Sequence, residues 1–350
     1  TARDGYSATL AWANFFHNVL RGSKDQMNQA NSRVKLGVLL PTRGILLGDE
    51  PPNSAETVLN LACQAEAAGL DSVWVGDSLT AKPRLEPLAA LASVAAVTQR
   101  VRLGTAVLLA ALRQPVLLAQ TMATVDLISK GRLVVAAGVG GAFNEDQRRE
   151  WQAAGIDPRR RVSRLEEIVQ IVRELGAGRQ ATFSGKHFQL DQVEIGPNPV
   201  RPGGTPVLLA CHWRANAREA QFLRAARFGD GIISISDTPE EYKQVVEQVS
   251  SMTADLGRDP SQLEKVFYLT VNMTEDTKQA EAEAEKFLTR YYGADIWGSR
   301  WGPFGGSQRV SQRMSEYVEA GADTLILRFA SFQPQRQLEL FLDRVAPAFM

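Results

Sequence analysis

The chain has 350 residues, of which 39 are Lys or Arg and 39 are Asp or Glu, so its formal net charge at pH 7 is zero. This balance offers no broad positive field for nucleic acid or membranes, and no apolar run is long enough to span a bilayer. Two cysteines far apart in the sequence, Cys63 and Cys211, favour a reducing compartment over a disulfide framework, and we expect a cytoplasmic protein.

The first residues differ from the rest of the chain. An apolar stretch from Ala8 to Leu20 predicts a helix that packs on the remainder of the protein or on a neighbouring subunit. The alternative is a signal peptide, which the stretch favours less because Arg3 and Asp4 precede it and no convincing small-residue cleavage site follows. We therefore treat 1–33 as an N-terminal extension. Residues 34–350 contain no low-complexity tract or Pro/Gly-rich linker and are predicted to form one domain.

From residue 34 onwards, strand-like apolar runs alternate with longer amphipathic segments. Most runs are apolar on both faces, which is typical of parallel strands covered by helices. Eight such units favour a TIM (β/α)8 barrel over an open sheet. The predicted strands are 35–40, 73–76, 102–108, 132–138, 206–210, 231–235, 265–272 and 324–329.

One joint recurs along the chain, in the order helix, Gly, Asp, strand. It is written EAAGLDSVWV at 66–75, VEAGADTLIL at 318–327 and, more loosely, AARFGDGIIS at 225–234. Two stretches are too long for a simple unit and are predicted as insertions, 141–205 after the fourth strand and 291–308 after the seventh. The repeated joint supports a fold built from repeated βα units.

The carboxyl ends of the strands carry the active site in this fold. The residues there show no metal-ligand spacing and no Ser-His-Asp pattern, so we predict no metal site and favour an organic cofactor. The Gly-rich stretch LVVAAGVGGAFNED at 133–146 is not a Rossmann fingerprint, because Phe143 occupies its third glycine position.

The chain resembles the bacterial luciferase-like monooxygenase and oxidoreductase family, especially its branch that uses the deazaflavin coenzyme F420. The resemblance covers most of 34–345. It is carried by GLDSVWVGDS, by RVRLGTAVLLAALRQPVLLAQTMATVDLISKGRLVVAAGVGGAFNED, and by RRRVSRLEEIVQIVREL, FSGKHFQL, PVLLA and AARFGDGIIS. It implies a TIM barrel, flavin or deazaflavin chemistry, a small organic substrate and a homodimer.

Residue by residue, the resemblance first implies a site after the second and third strands. Asp77 matches an acid near the reactive ring and is a catalytic and cofactor-binding candidate. Ser78 stands where many deazaflavin enzymes have an acid/base histidine; it remains a catalytic candidate, although a hydroxyl is a poor general acid. Thr105, Ala106 and Val107 match the strand behind the ring, where the family has a cis peptide bond, here Ala106–Val107.

The Gly-rich turn after the fourth strand gives further cofactor-binding candidates. Gly138, Gly140 and Gly141 match positions at which backbone approaches the cofactor, and Asn144 matches a polar position that opens the next helix. Gly141 stands where some relatives carry a catalytic glutamate. A plain tight turn explains the glycines equally.

The fifth strand ends in Ala210, Cys211, His212 and Trp213, where relatives often have small residues near the cofactor phosphate. All four are cofactor-binding candidates. His212 is a replacement proton donor, a phosphate ligand or a hydrogen-bonded wall residue, and these alternatives stay open.

Several rim residues are candidates for substrate binding. Arg43, Arg113 and Arg328 have the charge to pair with a phosphate or an acidic substrate, although surface salt bridges explain them too. Trp301 lies in the second insertion and fits either a substrate lid or packing on the barrel. Arg43, Trp301 and Arg328 are the substrate-binding candidates that we retain.

We therefore expect an F420-dependent oxidoreductase that transfers a hydride between the deazaflavin and an organic substrate. The alternative is an FMN-dependent monooxygenase that uses reduced flavin and oxygen. An alternative of another class is a barrel that binds flavin or deazaflavin without catalysis, because two family acid/base positions are missing.

Overall fold

The computed structural model describes residues 33–48, 52, 54–214, 218–293 and 300–350. Contacts divide the chain into Thr1–Val34 and Lys35–Met350, and the fold below is that of the second unit. Apart from residue 33, the predicted N-terminal extension lies outside the described residues, so its helix stays a prediction.

The described residues form ten strands, and eight of them close into a parallel barrel, which confirms the TIM-barrel prediction. Around the barrel the order is β1, β2, β3, β4, β7, β8, β9, β10 and back to β1. The predicted strands match the barrel strands to within one residue at either end. The strands are β1 (Lys35–Leu39), β2 (Ser72–Val75), β3 (Arg102–Leu108), β4 (Leu133–Ala137), β5 (Ala181–Ser184), β6 (Gln189–Val193), β7 (Val207–Ala210), β8 (Gly231–Ile235), β9 (Glu264–Val271) and β10 (Thr324–Phe329).

Ten described helices surround the barrel. Proline at the first turn and a side-chain cap begin several of them: the Glu86 carboxylate accepts from the N–H of Ala89, and Thr238 with Glu241 forms a capping box. The helices are α1 (Glu56–Ala67), α2 (Pro87–Val97), α3 (Pro115–Ile128), α4 (Glu145–Ala153), α5 (Arg161–Gly176), α6 (Arg218–Phe228), α7 (Pro239–Asp255), α8 (Thr277–Tyr292), α9 (Ser307–Glu319) and α10 (Pro334–Arg344). Among the described residues, no helix has both the length and the hydropathy of a bilayer span.

The repeated Gly-Asp joint has a common structural role. The carboxylates of Asp71, Asp230 and Asp323 each accept a backbone N–H at the start of the neighbouring strand, from Leu36, Val207 and Lys265 at 2.8, 2.8 and 3.0 Å. The three aspartates therefore fix strand pairing at the amino end of the barrel.

The first predicted insertion, 141–205, contains additional elements. Between β4 and β7 the chain forms α4, α5 and the antiparallel hairpin of β5 and β6. The buried Glu167 carboxylate accepts three backbone N–H groups from Lys186, His187 and Phe188 and holds the hairpin turn. Between β9 and β10 lie α8 and α9.

The barrel interior is filled below its carboxyl end. Trp74 is fully buried, and Gly104 faces it so closely that a Cβ there would lie 2.1 Å from the indole ring. At the amino end, Arg102 of β3 and Glu264 of β9, on opposite strands, form two hydrogen bonds of 2.7 and 2.8 Å. Side chains thus fill the barrel below its carboxyl rim, as is usual for this fold.

Candidate active site

A cavity of about 210 Å³ lies at the carboxyl ends of the barrel strands. Its apolar walls come from the ends of β3, β7 and β8 and the loop after β3: Ala106, Val107, Leu109, Ala210, Ile233 and Ile235. Its polar side chains are Asp77, Arg84, His212, Ser234, Tyr268, Tyr291 and Tyr292. A largely apolar recess with a few polar groups at its edge is the usual form of a small-molecule site.

The end of β3 forms one wall of this cavity. The peptide bond between Ala106 and Val107 is cis, as predicted, and the pairing of β3 with β4 shifts register between Thr105 and Leu108. Gly138, at the end of β4, is required beside this segment, because a Cβ there would lie 2.8 Å from Cγ2 of Val107.

Asp77 lies in the cavity wall, but its carboxylate already accepts hydrogen bonds from neighbouring groups. Its side chain is 2% exposed, and its Oδ2 accepts the backbone N–H of Leu109 at 2.8 Å and a guanidinium N–H of Arg113 at 2.5 Å. Arg113 also contacts Glu86 at 3.2 Å. Asp77 therefore ties the loop after β3 to the end of β2, next to Ala106 and Val107.

Ser78, the neighbouring catalytic candidate, is not in the cavity lining. Its hydroxyl donates to Oε1 of the buried Glu150 at 2.7 Å and accepts the backbone N–H of Lys82 at 2.8 Å. The same carboxylate oxygen accepts the N–H groups of Thr80 and Ala81. Ser78 thus stabilises the loop after β2 against α4, a position that does not support an acid/base role.

We expect Ser78→Ala to reduce the free energy of unfolding by about 1 kcal/mol, the usual net contribution of one hydrogen bond. Turnover should change far less than the roughly 10²- to 10⁴-fold that loss of an acid/base group costs. Thermal unfolding and steady-state rates measure both, with the exposed helical Ser93→Ala as the matched control. A hundredfold loss of kcat in folded S78A would restore the catalytic assignment.

Of the candidates at the end of the fifth barrel strand, β7, His212 is the one whose polar side chain faces the cavity. Its side chain is 33% exposed, and its Nδ1 lies 3.3 Å from Oγ of Ser234 and 3.8 Å from Oδ2 of Asp237. The Ser234 hydroxyl donates to Asp237 Oδ2 at 2.5 Å, so its oxygen is left to accept from Nδ1–H. This arrangement fixes the tautomer and leaves Nε2 available.

The neighbours of His212 take other positions. Ala210 lines the cavity, whereas Cys211 is fully buried with its thiol near the carbonyl of Gln221, and burial raises the pKa of that thiol to about 12. Trp213 stacks on Phe222, and the guanidinium carbon of Arg218 lies 4.4 Å from the centre of the Trp213 ring. Alternation along the strand directs Ala210 and His212 inward and Cys211 outward.

Four further candidates lie outside the cavity lining. The Thr105 hydroxyl is buried and donates to the carbonyl of Ala136 at 2.8 Å. The carbonyl of Gly141 accepts the indole N–H of Trp151, and Asn144 caps α4. Gly140 has a φ of +72°, which suits the tight turn that the sequence allowed.

The three substrate-binding candidates, Arg43, Trp301 and Arg328, lie near one another, away from β3, β7 and β8. Arg43 and Arg328 both line a second cavity of about 370 Å³, between the ends of β1 and β10 and helix α8. The guanidinium carbon of Arg328 lies 5.0 Å from the centre of the Trp301 ring. Tyr291 lines both cavities and separates them.

Several residues of the site were missed by the sequence analysis, above all Arg84 and Tyr291, which line the smaller cavity, and Asp237, whose carboxylate lies beside Ser234 and His212. Arg84 follows Asp77 in the same loop, Asp237 follows the end of β8 by two residues, and Tyr291 is the first residue of the predicted second insertion. Arg84 and Tyr291 lie well away from the strand ends, and this distance is why the sequence did not single them out. Among the described residues, no cluster of His, Cys, Asp and Glu side chains has the form of a metal site.

Comparison with known proteins assigns the family. The model of the luciferase-like monooxygenase family matches residues 34–319. The chain belongs to this family. The chain is also 27% identical over 322 residues to the F420-dependent glucose-6-phosphate dehydrogenase of Amycolatopsis mediterranei (strain U-32), covering 83% of this chain and 93% of that protein.

Solved structures share the fold. An F420-dependent secondary alcohol dehydrogenase in complex with an F420-acetone adduct superposes with a TM-score of 0.73 and 20% identity, covering 91% of this chain and 99% of that one. The monooxygenase RslO1 from Streptomyces bottropensis superposes with a TM-score of 0.74 and 23% identity, covering 90% and 100%. At these identities the likeness concerns the luciferase-like barrel itself.

Proposed function

We propose that this luciferase-like protein is an F420-dependent oxidoreductase that transfers a hydride between the deazaflavin and a small organic substrate. The observation that carries the proposal is the apolar recess at the carboxyl rim of a barrel of this family. The likeness to F420-dependent glucose-6-phosphate dehydrogenases over most of the chain supports the choice of cofactor.

The residues of the recess fit a flat heterocycle. Ala106, Val107 and Ala210 line the recess with small or short apolar side chains, and the remaining walls carry hydrogen-bonding groups such as those of His212 and Ser234. The cavity is smaller than the roughly 300–1,000 Å³ that hold whole drug-sized ligands, so it suits the ring system, with the remainder of the coenzyme outside it. The bound deazaflavin supplies the carbon that accepts or donates the hydride.

The protein's own groups bind and orient. Ala106, Val107 and Ala210 exclude water from one face, and His212 offers Nε2 as a hydrogen-bonding wall residue for ring or substrate. Asp77 holds the wall in place rather than reacting. We propose a substrate oxidised at a hydroxyl-bearing carbon, as in the two F420-dependent dehydrogenases named above. A homodimer and a cytoplasmic location stay predictions.

Titration of the purified protein with F420 and with FMN, followed by fluorescence, tests this proposal. F420 should bind, and Ala210→Phe should weaken it by at least about tenfold, equivalent to about 1.4 kcal/mol, because the phenyl ring fills the recess. Ala254→Phe, at an exposed position of α7, is the matched control.

Other outcomes point to other functions. Tight binding of FMN without binding of F420 would indicate the monooxygenase. Tight F420 binding without F420 reduction across a panel of alcohols and sugars would indicate a binding barrel.

A further inference from the structure

Tyr291 occupies a distinctive place at the end of α8. Its ring is only 6% exposed, yet it contributes to the walls of both rim cavities, beside Ala106, Val107 and His212 in the smaller one. It follows no barrel strand and belongs to none of the positions discussed above as catalytic.

Three guanidinium groups from three different segments surround this one phenol. The guanidinium carbons of Arg43, Arg84 and Arg328 lie 5.4, 5.5 and 5.2 Å from the centre of the Tyr291 ring. Arg84 donates to the phenol oxygen at 3.1 Å, and Nε of Arg43 donates to the backbone carbonyl of Tyr291 at 2.9 Å. Both the position of Tyr291 and the charge around it are therefore fixed.

The position of Arg84 depends on a glycine. A Cβ on Gly76, at the end of β2, would lie 2.4 Å from Nη1 of Arg84. The absence of a side chain at this position lets the guanidinium lie across the strand end and reach the cavity.

Carboxylates of the described residues do not pair with two of these guanidinium groups, those of Arg43 and Arg84. In the described part of the chain, no Asp or Glu oxygen forms an ion pair with Arg43 or Arg84, whose other donors go to the carbonyls of Pro83 and Lys82. Asp77, in the wall of the smaller cavity, is paired with Arg113 instead. Buried cations without a carboxylate favour any nearby group that can become an anion.

The phenol is such a group. Burial by itself raises the pKa of a tyrosine, but Arg84, Arg328 and Arg43 outweigh burial and hold the pKa of Tyr291 below its ordinary value. In the part of the chain that the structure describes, the tyrosines that also interact with it are Tyr268 of β9 and the adjacent Tyr292. The remaining described tyrosines, Tyr242, Tyr268, Tyr292 and Tyr317, have raised pKa values, with burial as the main cause.

We propose that Tyr291 is the catalytic group that takes the proton from the substrate hydroxyl, with Arg84 and Arg43 as its positioning residues. This assignment rests on the proposed function. The Tyr291 oxygen bonds to the hydroxyl proton, and the electrons of the O–H bond form the second carbon–oxygen bond. The C–H hydrogen leaves with its electron pair to the deazaflavin, and in the reverse direction Tyr291 returns the proton.

The first test needs no cofactor. Tyrosinate absorbance is titrated with pH in the wild type, Tyr291→Phe and Tyr292→Phe. The wild type and Y292F should show one tyrosine ionising below the ordinary range, near pH 10, and Y291F should lack it. Arg84→Met, which keeps the size but removes the charge, should move that ionisation to higher pH. An unchanged early ionisation in Y291F overturns the assignment.

The second test is the pH profile of F420 reduction with glucose 6-phosphate and 2-propanol as probes. The rate of substrate oxidation should increase with pH up to the pKa of Tyr291. Y291F should lose about 100-fold or more in kcat and should no longer show this increase. R84M should shift the increase to higher pH. The assignment is overturned if folded, F420-binding Y291F keeps the increase of rate with pH and His212→Gln abolishes it. The proposed function then still stands. Failure of the wild type to bind F420 overturns the proposed function, and the catalytic assignment with it.

Discussion

Asp77→Asn lowers the free energy of unfolding by about 2–3 kcal/mol and weakens F420 binding by about tenfold, or 1.4 kcal/mol. The substitution keeps the shape of the side chain but removes the charge that Arg113 faces at 2.5 Å. It also weakens the acceptor of the Leu109 N–H, so the loop after β3 loses its tie to β2. Chemical denaturation and fluorescence titration with F420 measure the two effects.

The matched control is Glu86→Gln, which removes the other carboxylate that contacts Arg113. The Glu86 side chain is 52% exposed and 3.2 Å from the guanidinium, so its loss should cost less than about 1 kcal/mol and leave cofactor binding unchanged. Equal effects of D77N and E86Q would contradict the view that Asp77 organises the cavity wall.

Glu264→Gln should destabilise the protein by about 3 kcal/mol and leave the affinity for F420 unchanged. The Glu264 and Arg102 side chains are 16% and 23% exposed and form a two-bond pair across the amino end of the barrel, away from the rim cavity. Removal of the negative charge leaves Arg102 enclosed without its partner. Denaturation and F420 titration of the same samples separate the two quantities.

The effect of Glu264 depends on pH with a definite sign. Burial alone would raise the pKa of Glu264, but the hydrogen bonds and charge of Arg102 hold the pKa below its ordinary value of 4.5. A lowered pKa in the folded state adds stability above pH 4.5, and this stability is lost as pH falls through the folded-state pKa. The stability difference between wild type and E264Q should therefore shrink in acid.

An exposed pair provides the comparison. Glu174→Gln removes a partner of Arg179, and these side chains are 49% and 59% exposed, so the substitution should cost well under about 1 kcal/mol. A difference between wild type and E264Q that does not change between pH 7 and pH 3 would rule out the charge as its source.

Much of the barrel was determined by local sequence. Apolar runs of strand length and amphipathic segments of helix length are read over a few residues, and so the strand ends were predicted to within one residue. The recurring joints at Asp71, Asp230 and Asp323 were also recognisable in the local sequence. In the structure, each carboxylate accepts a backbone N–H from the start of an adjacent strand. The cis bond at Ala106–Val107 followed from the resemblance of one continuous segment.

The direction in which individual side chains point was harder to predict from the sequence. Ala210 and His212 face the cavity while Cys211 between them is buried on the other side, and Ser78 turns towards Glu150 while Asp77 remains in the wall. A strand alternates with period two in any fold. Which of the two sets points inward depends on barrel closure and on the loops packed above, and neither is encoded within the strand itself.

The sequence by itself determined an eight-unit barrel, its carboxyl rim and the family of chemistry that such a rim supports, because these depend on periodicity and on contiguous motifs. Only the tertiary structure brought Arg43, Arg84, Tyr291 and Arg328 together, from four segments spread over most of the chain. The acidity of a phenol depends on charges a few ångströms away in space, and no spacing along the chain records those distances.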